Sequence, residues 1–549
     1  MKKKTAFMKF ASIAAGAVMA CGALAGCSGS TGGDSTATTT ASGGETTTTA
    51  ASGTTTASGG TSTGSGNPDA ELRYVQSGHT QGTFTTDPAI AYQGANTFNL
   101  GITETLLNLD LETREVVPSL ATDFKQVDDT TWEFTIRDGI KFSNGKELTA
   151  EACKKALDYT FASNSALAIA NVDSIEADGQ TLRIKTKGIS AILPRLLTSS
   201  DCIIFDTEAS TDYSKGLIGT GPYILENFDA EGNCDMVRND DYWQGTPGVA
   251  KIHTKTGIEA SQLATALQAD ELDWATVADS DLQLFENNPD FTIETRNASR
   301  VYYLYVNPNY TFTQDNAVRD ALQHAFDREA ILEGVYKGHG SVTDCIFVPD
   351  SKFRFEQTKD TSYNVDEAKK ILADAGYSDS NGDGIVEKDG QPVKLNITTY
   401  KANNFPNLCE ALQYMLKEIG IDSEIVVSEQ IMDELGKGEF NIATYGYNTE
   451  TYGDCLNYLE PVYGAEGNSN FNHFESPEVN ELLAKLKEEP DSDKRAEYAK
   501  EIQKYIYDQN NHIYLMHVLN STVFKKGINN VTFGLGGMDY SKLWKITKD

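Results

Sequence analysis

Basic residues are scarce in this 549-residue chain. Asp and Glu number 79 against 46 Lys and Arg, which gives a formal net charge of −33. A surface of that sign repels phosphate backbones, so nucleic acid is excluded as a partner. Between Lys437 and Lys485 there is no Lys or Arg at all, although this stretch contains the tyrosine-rich segment YGYNTETYGDCLNYLEPVY at 445–463.

Recognised catalytic motifs are also absent. The seven histidines are scattered, with no HExxH, GxSxG or local Cys-His signature among them. His512 and His517 are five residues apart, a spacing that does not place two ligands on one helix face. The sequence therefore predicts no enzyme activity and no catalytic residue. The alternative class is a surface hydrolase or glycan-binding protein.

Cysteine usage excludes a CxxC redox or zinc motif. Two of the eight cysteines lie in the N-terminal region, and the other six are widely spaced. Export would permit disulfides, but buried free thiols fit the same spacing, and sequence cannot choose a pairing.

The N-terminus is typical of an export signal. MKKKTAFMKF carries four lysines and is followed by the small-residue apolar run ASIAAGAVMACGALAG, which is short for a membrane span. The run ends in LAGC, which resembles the lipobox of bacterial lipoproteins. That resemblance implies a lipoprotein signal peptide at 1–26 and lipidation of Cys27. The alternative is a plain signal peptide with an incidental cysteine.

Residues 27–68 are predicted to be a tether. They are almost wholly Ser, Thr, Gly and Ala, which cannot bury enough apolar surface to fold. A flexible chain of this length spans roughly 35 Å. With a lipid anchor at Cys27, the folded part is expected to hang from the outer face of the cytoplasmic membrane.

The remaining chain shows alternating strand and helix patterns. Roughly 480 residues are too many for one core and predict two or three lobes. WEFTIRDGIKFSNGKEL alternates like two strands, and LNITTY and SEIVVSE are further strands. VRDALQHAFDREAILEGVYKG predicts a helix that ends at Gly338, and DEAKKILADAGY and LCEALQYMLKEIG are further amphipathic helices. This alternation indicates an α/β protein.

Several segments resemble the extracytoplasmic solute-binding proteins of peptide and nickel ABC importers, in their lipoprotein form. Seven stretches between residues 118 and 483 carry the resemblance in order: PSLATDF, TWEFTIRDGIKFSNGKELTAE, GTGPYIL, VRNDDYW, VRDALQHAFDREAILEGVYKG, YNVDEAKKILADAGY and SNFNHFESPEVNELL. Each is weak alone, but seven in register behind a lipobox are specific. GHGSVTDCIFVP favours the nickel-type branch.

The resemblance implies a type II periplasmic-binding-protein-like fold of two hinged α/β lobes with a small additional domain. The implied boundaries are 69–112, 209–300 and 521–549 for lobe I, 113–208 for the additional domain and 301–520 for lobe II. The chain is expected to cross between the lobes near RVYYLYVNPN and near YLMHVLNSTVF, and the lobes are expected to close on a ligand.

The tyrosine-rich segment is predicted to form the lobe II wall of the binding cleft. Phenol rings stack on peptide groups or cations and add hydrogen bonds. About half of its tyrosines are expected to pack beneath the wall instead. The candidate ligand-binding residues are Tyr92 and Phe98 from lobe I, and Tyr447, Asn448, Glu450, Thr451, Tyr452 and Asp454 from lobe II.

The usual ligand schemes of the family fit this sequence poorly. Peptide-binding members often hold an Asp for the peptide α-ammonium, but Thr451 stands at that position and Cys455 replaces a following Pro. Nickel-binding members use arginines from the additional domain, and DYTFASNSALAIANVD and TSSDCIIFDTEAS contain none. The expected ligand is a di- or oligopeptide, with a nickel chelate as the alternative. The expected partners are an ABC permease and its ATPase subunits, and the chain itself is expected to be a monomer.

One segment resembles a calcium loop. In DSNGDGIVEKDG, Asp379, Asn381 and Asp383 match the first ligands of an EF-hand, but the position of the bidentate Glu is occupied by Gly390. A solvated turn is favoured here, with a structural calcium ion as the alternative, and no other cofactor is expected.

Overall fold

A computed structural model of the protein describes residues 66–75, 85–90, 94–229, 231–258, 260–534 and 537–549. Helices and strands alternate through these ranges, as the sequence periodicity predicts. The helices are Gly94–Asn99, Ala150–Ser163, Leu193–Leu196, Ala260–Gln268, Asn316–Ala325, Arg328–Tyr336, Val365–Asp374, Phe405–Glu418, Ile431–Gly436, Leu456–Tyr463, Pro477–Glu488 and Ser492–Asp508.

One sheet of eleven strands runs through the molecule. From edge to edge, ten strands follow in the order Tyr223–Phe228, Cys234–Arg238, Lys251–Lys255, Glu71–Val75, Trp274–Thr276, His512–Lys525, Phe291–Val306, Ile442–Asn448, Lys394–Thr399 and Asp422–Val427. The eleventh, Ser341–Val342, pairs with His512–Lys525.

Two long central strands join the two halves of this sheet. Phe291–Val306 has 16 residues and His512–Lys525 has 14, and they pair antiparallel along most of their length. Each contains one of the predicted crossing points. The pairing is irregular between Asn297 and Val301, just where Phe291–Val306 begins to pair with Ile442–Asn448. The exact domain boundaries stay a prediction.

A separate four-stranded sheet lies within 113–208. Its strands follow in the order Ala121–Asp128, Thr131–Ile136, Thr181–Thr186 and Val172–Asp178. Helix Ala150–Ser163, capped by the Thr149 side chain, packs against it. The short two-stranded ladders are Glu104–Thr105 with Ile203–Ile204, Leu107–Leu109 with Val116–Pro118, Glu387–Lys388 with Gln391–Pro392, Ile528–Asn529 with Thr547–Lys548, and Phe533–Gly534 with Gly537–Met538.

The helix predicted up to Gly338 is in fact two helices. The first ends at Ala325, because Phe326 adopts extended backbone angles. The Asp327 side chain then accepts a hydrogen bond from the Ala330 N–H and starts a second helix. The apolar positions keep one helical period across the break, so the pattern alone could not reveal it.

The cysteines of the described region are free thiols. All six are buried and unpaired: Cys153, Cys202, Cys234, Cys345, Cys409 and Cys455. The sequence allowed either disulfides or free thiols, and the structure shows free thiols. In the same part of the chain, no helix combines the length and the apolar character that crossing a membrane requires.

Candidate functional site

A cavity of about 680 Å³ lies beside the strand Ile442–Asn448 and the loop that follows it. Its volume is in the range of ordinary small-molecule sites. Its described lining is Ile169, Arg300, Met432, Tyr445, Gly446, Tyr447, Asn448, Thr451, Tyr452, Asn457, Pro461, Asn468 and Ser469. Most of this wall comes from the tyrosine-rich segment and the residues just after it.

The strand presents two tyrosines to the cavity. Tyr445 and Tyr447 are two residues apart, so their side chains share one face of the sheet. Their ring centroids are 6.3 Å apart, and Tyr447 also meets the buried ring of Tyr458 edge-on at 5.3 Å. Burial raises the pKa of Tyr445 to about 12, so its phenol stays neutral at physiological pH.

Tyr458 and Tyr463 belong to the core beneath this wall. Both are nearly fully buried on the helix Leu456–Tyr463, and their hydroxyls lie 3.3 Å apart. The expectation that some tyrosines of the segment pack inward is met by these two residues.

Tyr452 lies between the large cavity and a smaller one of about 280 Å³. The smaller cavity is also lined by Phe98, Leu109 and Tyr540. Tyr452 has a φ of 57°, the left-handed region that is costly for a residue with a Cβ. Its ring packs against the core of the four-stranded sheet. The loop therefore holds this tyrosine at the junction of the two cavities at a conformational cost.

The prediction that Asp454 forms part of an anionic cavity wall is wrong. This carboxylate is fully buried and accepts hydrogen bonds from Arg495 Nε at 2.8 Å and Nη2 at 2.6 Å. Arg195 Nε lies 3.6 Å away on another side. Burial would raise the pKa of Asp454, but the charge and hydrogen bonds of Arg495, with the charge of Arg195 and the Leu456 N–H, together outweigh it and hold the pKa below its usual value. Asp454 anchors the loop from beneath and does not line either cavity.

Glu450 also points inward. Its side chain is buried, with Oε2 3.1 Å from Arg114 Nε. Burial raises the pKa of Glu450 above its usual value, and the opposing charge of Arg114 offsets this only in part. The sequence predicted both carboxylates on the cleft surface because their arginine partners lie far away in the chain.

Two arginines from the predicted additional domain hold this loop. Arg114 pairs with Glu450 and with Asp350 at 3.0 Å. Arg195 Nη1 donates to the carbonyl of Gly453 at 3.1 Å. A Cβ at position 453 would lie 3.2 Å from Arg195 Nη1, and Gly453 has a φ of 65°, so glycine suits this close approach. Neither arginine was predicted from the sequence, because both lie outside DYTFASNSALAIANVD and TSSDCIIFDTEAS, where the ligand-binding arginines of the family were expected.

Arg300 is the one charged residue in the described lining of the large cavity. It stands opposite Asn448 in the strand register, and its Nε is buried without a hydrogen-bond acceptor. Asn457, also in the lining, has a buried Oδ1 without a donor. Neither residue was predicted, because a basic residue at the start of a strand and an Asn in a helix carry no local signal of a site.

The predicted residues thus divide into three groups. Five line the cavities, namely Phe98, Tyr447, Asn448, Thr451 and Tyr452. Glu450 and Asp454 are buried ion-pair partners. Tyr92 and Cys27 lie outside the described residues. Ligand contact by any of them stays a prediction.

The loop suspected of binding calcium brings three carboxylates together. Asp379, Asp383 and Glu387 offer oxygens within 4.8 Å of one another. The third member is Glu387, whose carboxylate accepts hydrogen bonds from Asn381 Nδ2 and the Ser380 N–H. Calcium binding stays a prediction, and the loop contributes nothing to the described lining of either cavity.

Known proteins resemble this chain over most of its folded part. The model of the bacterial extracellular solute-binding proteins, family 5, matches residues 115–470. Among curated proteins, the nickel-binding protein NikA of Staphylococcus aureus is 26% identical over 410 residues, covering 74% of this chain and 81% of NikA. The oligopeptide-binding protein AppA of Bacillus subtilis is 27% identical over 434 residues, covering 72% of this chain and 78% of AppA.

Solved structures agree on the fold. A nickel ABC transporter protein from Bacillus halodurans superposes with a TM-score of 0.75 at 27% identity, covering 87% of this chain and 98% of that protein. AppA in complex with a nonapeptide gives 0.67 at 22% identity, covering 88% of this chain and all of AppA. These likenesses confirm the predicted type II periplasmic-binding-protein-like fold.

Proposed function

From the premise that this chain belongs to the bacterial extracellular solute-binding proteins of family 5, we propose that the solute it captures is a short peptide. The peptide would bind between the lobes, at the wall formed by Tyr445, Tyr447 and Tyr452, and closure would present the loaded protein to an ABC permease. The chain would do no covalent chemistry of its own, since ATP is consumed by other subunits.

One observation carries this proposal. Arg300 and Asn457 both line the large cavity, and each has a buried polar atom without a partner, the donor Nε of Arg300 and the acceptor Oδ1 of Asn457. A buried polar group left unpaired costs about 1–3 kcal/mol, so a ligand that pairs both groups binds favourably. A peptide offers acceptors in its carbonyl and carboxylate groups and donors in its N–H groups.

The rest of the wall fits the same chemistry. Asn448 and Asn468 add carboxamides, each of which both donates and accepts hydrogen bonds. The phenols of Tyr445 and Tyr447 add flat surfaces for stacking against peptide groups. Each such contact is worth only about 0.5–1.5 kcal/mol, so several must act together to reach micromolar affinity.

A nickel chelate is the second candidate, favoured by the names of NikA and of the Bacillus halodurans protein. The described lining of the large cavity contains no His, Cys, Asp or Glu. A nickel ion bound there would therefore keep the ligands of a small chelator and would contact the protein through that chelator.

The setting of the protein is also proposed. The LAGC sequence and the Ser/Thr/Gly-rich segment support a diacylated Cys27 and a tether on the outer face of the cytoplasmic membrane. A permease and ATPase subunits would complete the importer, with this chain acting as a monomer. Detergent partitioning of the chain and of Cys27→Ser tests the anchor, because only the parent chain should enter the detergent phase.

Thermal-shift titration tests the solute class. Peptides of two to five residues, nickel with L-histidine, and oligosaccharides would be compared on the parent chain, on Tyr447→Ala and on Tyr414→Ala. Tyr414 is 69% exposed on the helix Phe405–Glu418, so it is a matched control. Peptides should raise the melting temperature of the parent and control only.

The other outcomes decide between the alternatives. A shift with nickel and histidine but none with peptides would make the peptide assignment wrong. A shift with oligosaccharides alone would favour the glycan-binding class.

A further inference from the structure

Arg300 is a half-buried arginine in the cavity wall with no carboxylate beside it. It lies on the strand Phe291–Val306, its Nε donates no hydrogen bond, and it forms no ion pair within the described part of the chain. The other arginines of this region each have a carboxylate partner: Arg114 with Glu450, Arg195 with Asp454, and Arg495 with Asp454. Arg300 is therefore different in kind from its neighbours.

The surroundings of Arg300 are phenols and backbone. A Cβ at Gly446 would lie 2.8 Å from the Tyr302 ring and 3.2 Å from Arg300 Nε, so glycine at this position leaves room for both side chains. Burial raises the pKa of Tyr445 to about 12 and also raises that of Tyr400, and the charge of Arg300 opposes both increases. The guanidinium thus lies within hydrogen-bonding reach of the Tyr400 hydroxyl and close to that of Tyr445, and neither neutral group offsets its charge.

A cation in this position lacks a counterion. Removing a charge from water without a partner is costly, and the cost falls when an opposite charge pairs with it. A guanidinium offers a planar fork of N–H donors that matches a carboxylate in a two-point contact. The cavity that Arg300 lines is the space from which such a group can reach it.

We propose that Arg300 binds a carboxylate of the captured solute and selects solutes that carry one. This inference rests on the proposed function, because it assumes that the solute occupies the cavity beside Tyr445 and Tyr447. In a peptide the group is the C-terminal carboxylate. In a metal chelate it is the carboxylate of the chelating amino acid.

Titration calorimetry with paired ligands tests the proposal. The pairs are alanine peptides of two to five residues as free acids or C-terminal amides, and nickel with L-histidine or with L-histidinamide. The parent chain should bind an acid at least about ten-fold more tightly than its amide, which corresponds to about 1.4 kcal/mol. Arg300→Gln should lose this preference by weakening the acid alone, and Arg300→Lys should keep part of it.

Arg296→Gln is the matched control. Arg296 lies on the same strand, is half exposed, pairs with Glu294 at 2.7 Å and is absent from the described lining of the cavity. The Arg296→Gln variant loses the same charge as Arg300→Gln and should keep the full preference for the acid over the amide. Circular dichroism and melting curves of Arg300→Gln check that it folds like the parent.

The outcomes separate this inference from the solute assignment. Equal binding of acid and amide by the parent, or a preference retained by Arg300→Gln, overturns the role of Arg300 while solute capture stands. If nickel with histidine shows the Arg300-dependent preference and peptides do not bind, the peptide assignment fails and the role of Arg300 holds. Failure of both acids to bind the parent overturns both.

Discussion

Arg495 donates two hydrogen bonds to the carboxylate of Asp454, from Nε to Oδ2 at 2.8 Å and from Nη2 to Oδ1 at 2.6 Å, and both side chains are buried. Asp454 also accepts from the Leu456 N–H, so one carboxylate fixes the end of the loop and the start of the next helix. Tyr452 stands two residues earlier, at the junction of the two cavities. Asp454 thus fixes the loop that carries Tyr452.

Asp454→Asn should destabilise the protein by about 3 kcal/mol, because losing one partner of a buried pair leaves its arginines uncompensated. Urea unfolding at pH 7 measures the loss, and Asp433→Asn, at an exposed position, should change stability by less than about 0.5 kcal/mol. The folded-state pKa of Asp454 is depressed, so its stabilisation is present above 3.8 and is lost as pH falls through the folded pKa. A variant as stable as the parent at pH 7 would show that the pair does not anchor the loop.

Glu450→Gln should make the protein more stable at pH 7. The folded-state pKa of Glu450 is raised above 4.5, so its carboxyl stabilises the fold when protonated and loses that contribution as pH rises through the folded pKa. Glutamine keeps the neutral state at every pH, while Arg114 retains Asp350. The advantage of the variant over the parent should shrink as the pH of the urea titration falls toward 4.5. An advantage that grows at low pH would contradict the assignment.

Tyr452→Ala should weaken solute binding and lower ligand-free stability by no more than about 1 kcal/mol, as expected for a cavity residue. Tyr452→Gly should bind equally weakly but be more stable than the Ala variant by about 0.5–1 kcal/mol, because glycine adopts a φ of 57° without strain. Calorimetry and urea unfolding give the two quantities. A loss of several kcal/mol in both variants would place Tyr452 in the core.

The sequence predicted the parts of this site that depend on a local pattern of residues. The alternation of residues 442–448 places Tyr445 and Tyr447 on one face, and the run of tyrosines marks the wall. The direction of Glu450 and Asp454 depends on Arg114, Arg195 and Arg495, which approach from distant parts of the chain. No local pattern contains that information.

Arg300 and the helix break at Asp327 were missed for related reasons. Arg300 precedes an apolar strand pattern and becomes a cavity residue only because Ile442–Asn448 pairs beside it. Asp327 caps a helix inside an unbroken apolar period. The family resemblance, in contrast, predicted the fold correctly, since it rests on seven stretches spread over most of the folded chain.

The six buried thiols should be unreactive in the native protein. All are below about 3% exposed, and burial raises the pKa of Cys234 and Cys345 to about 12 and that of Cys409 to about 11. A chain from Gly66 to Asp549 should give no fast reaction with Ellman's reagent and six thiols in denaturant without reductant. Fewer than six in denaturant would reveal a disulfide.

A crystal structure with the solute that raises the melting temperature most is the most direct test of solute capture at this wall. The prediction is electron density for the solute in the cavity beside Tyr445, Tyr447 and Tyr452, with its carboxylate at Arg300 and a donor at Asn457 Oδ1. Density for the solute elsewhere on the protein, with this cavity holding only water, would contradict it.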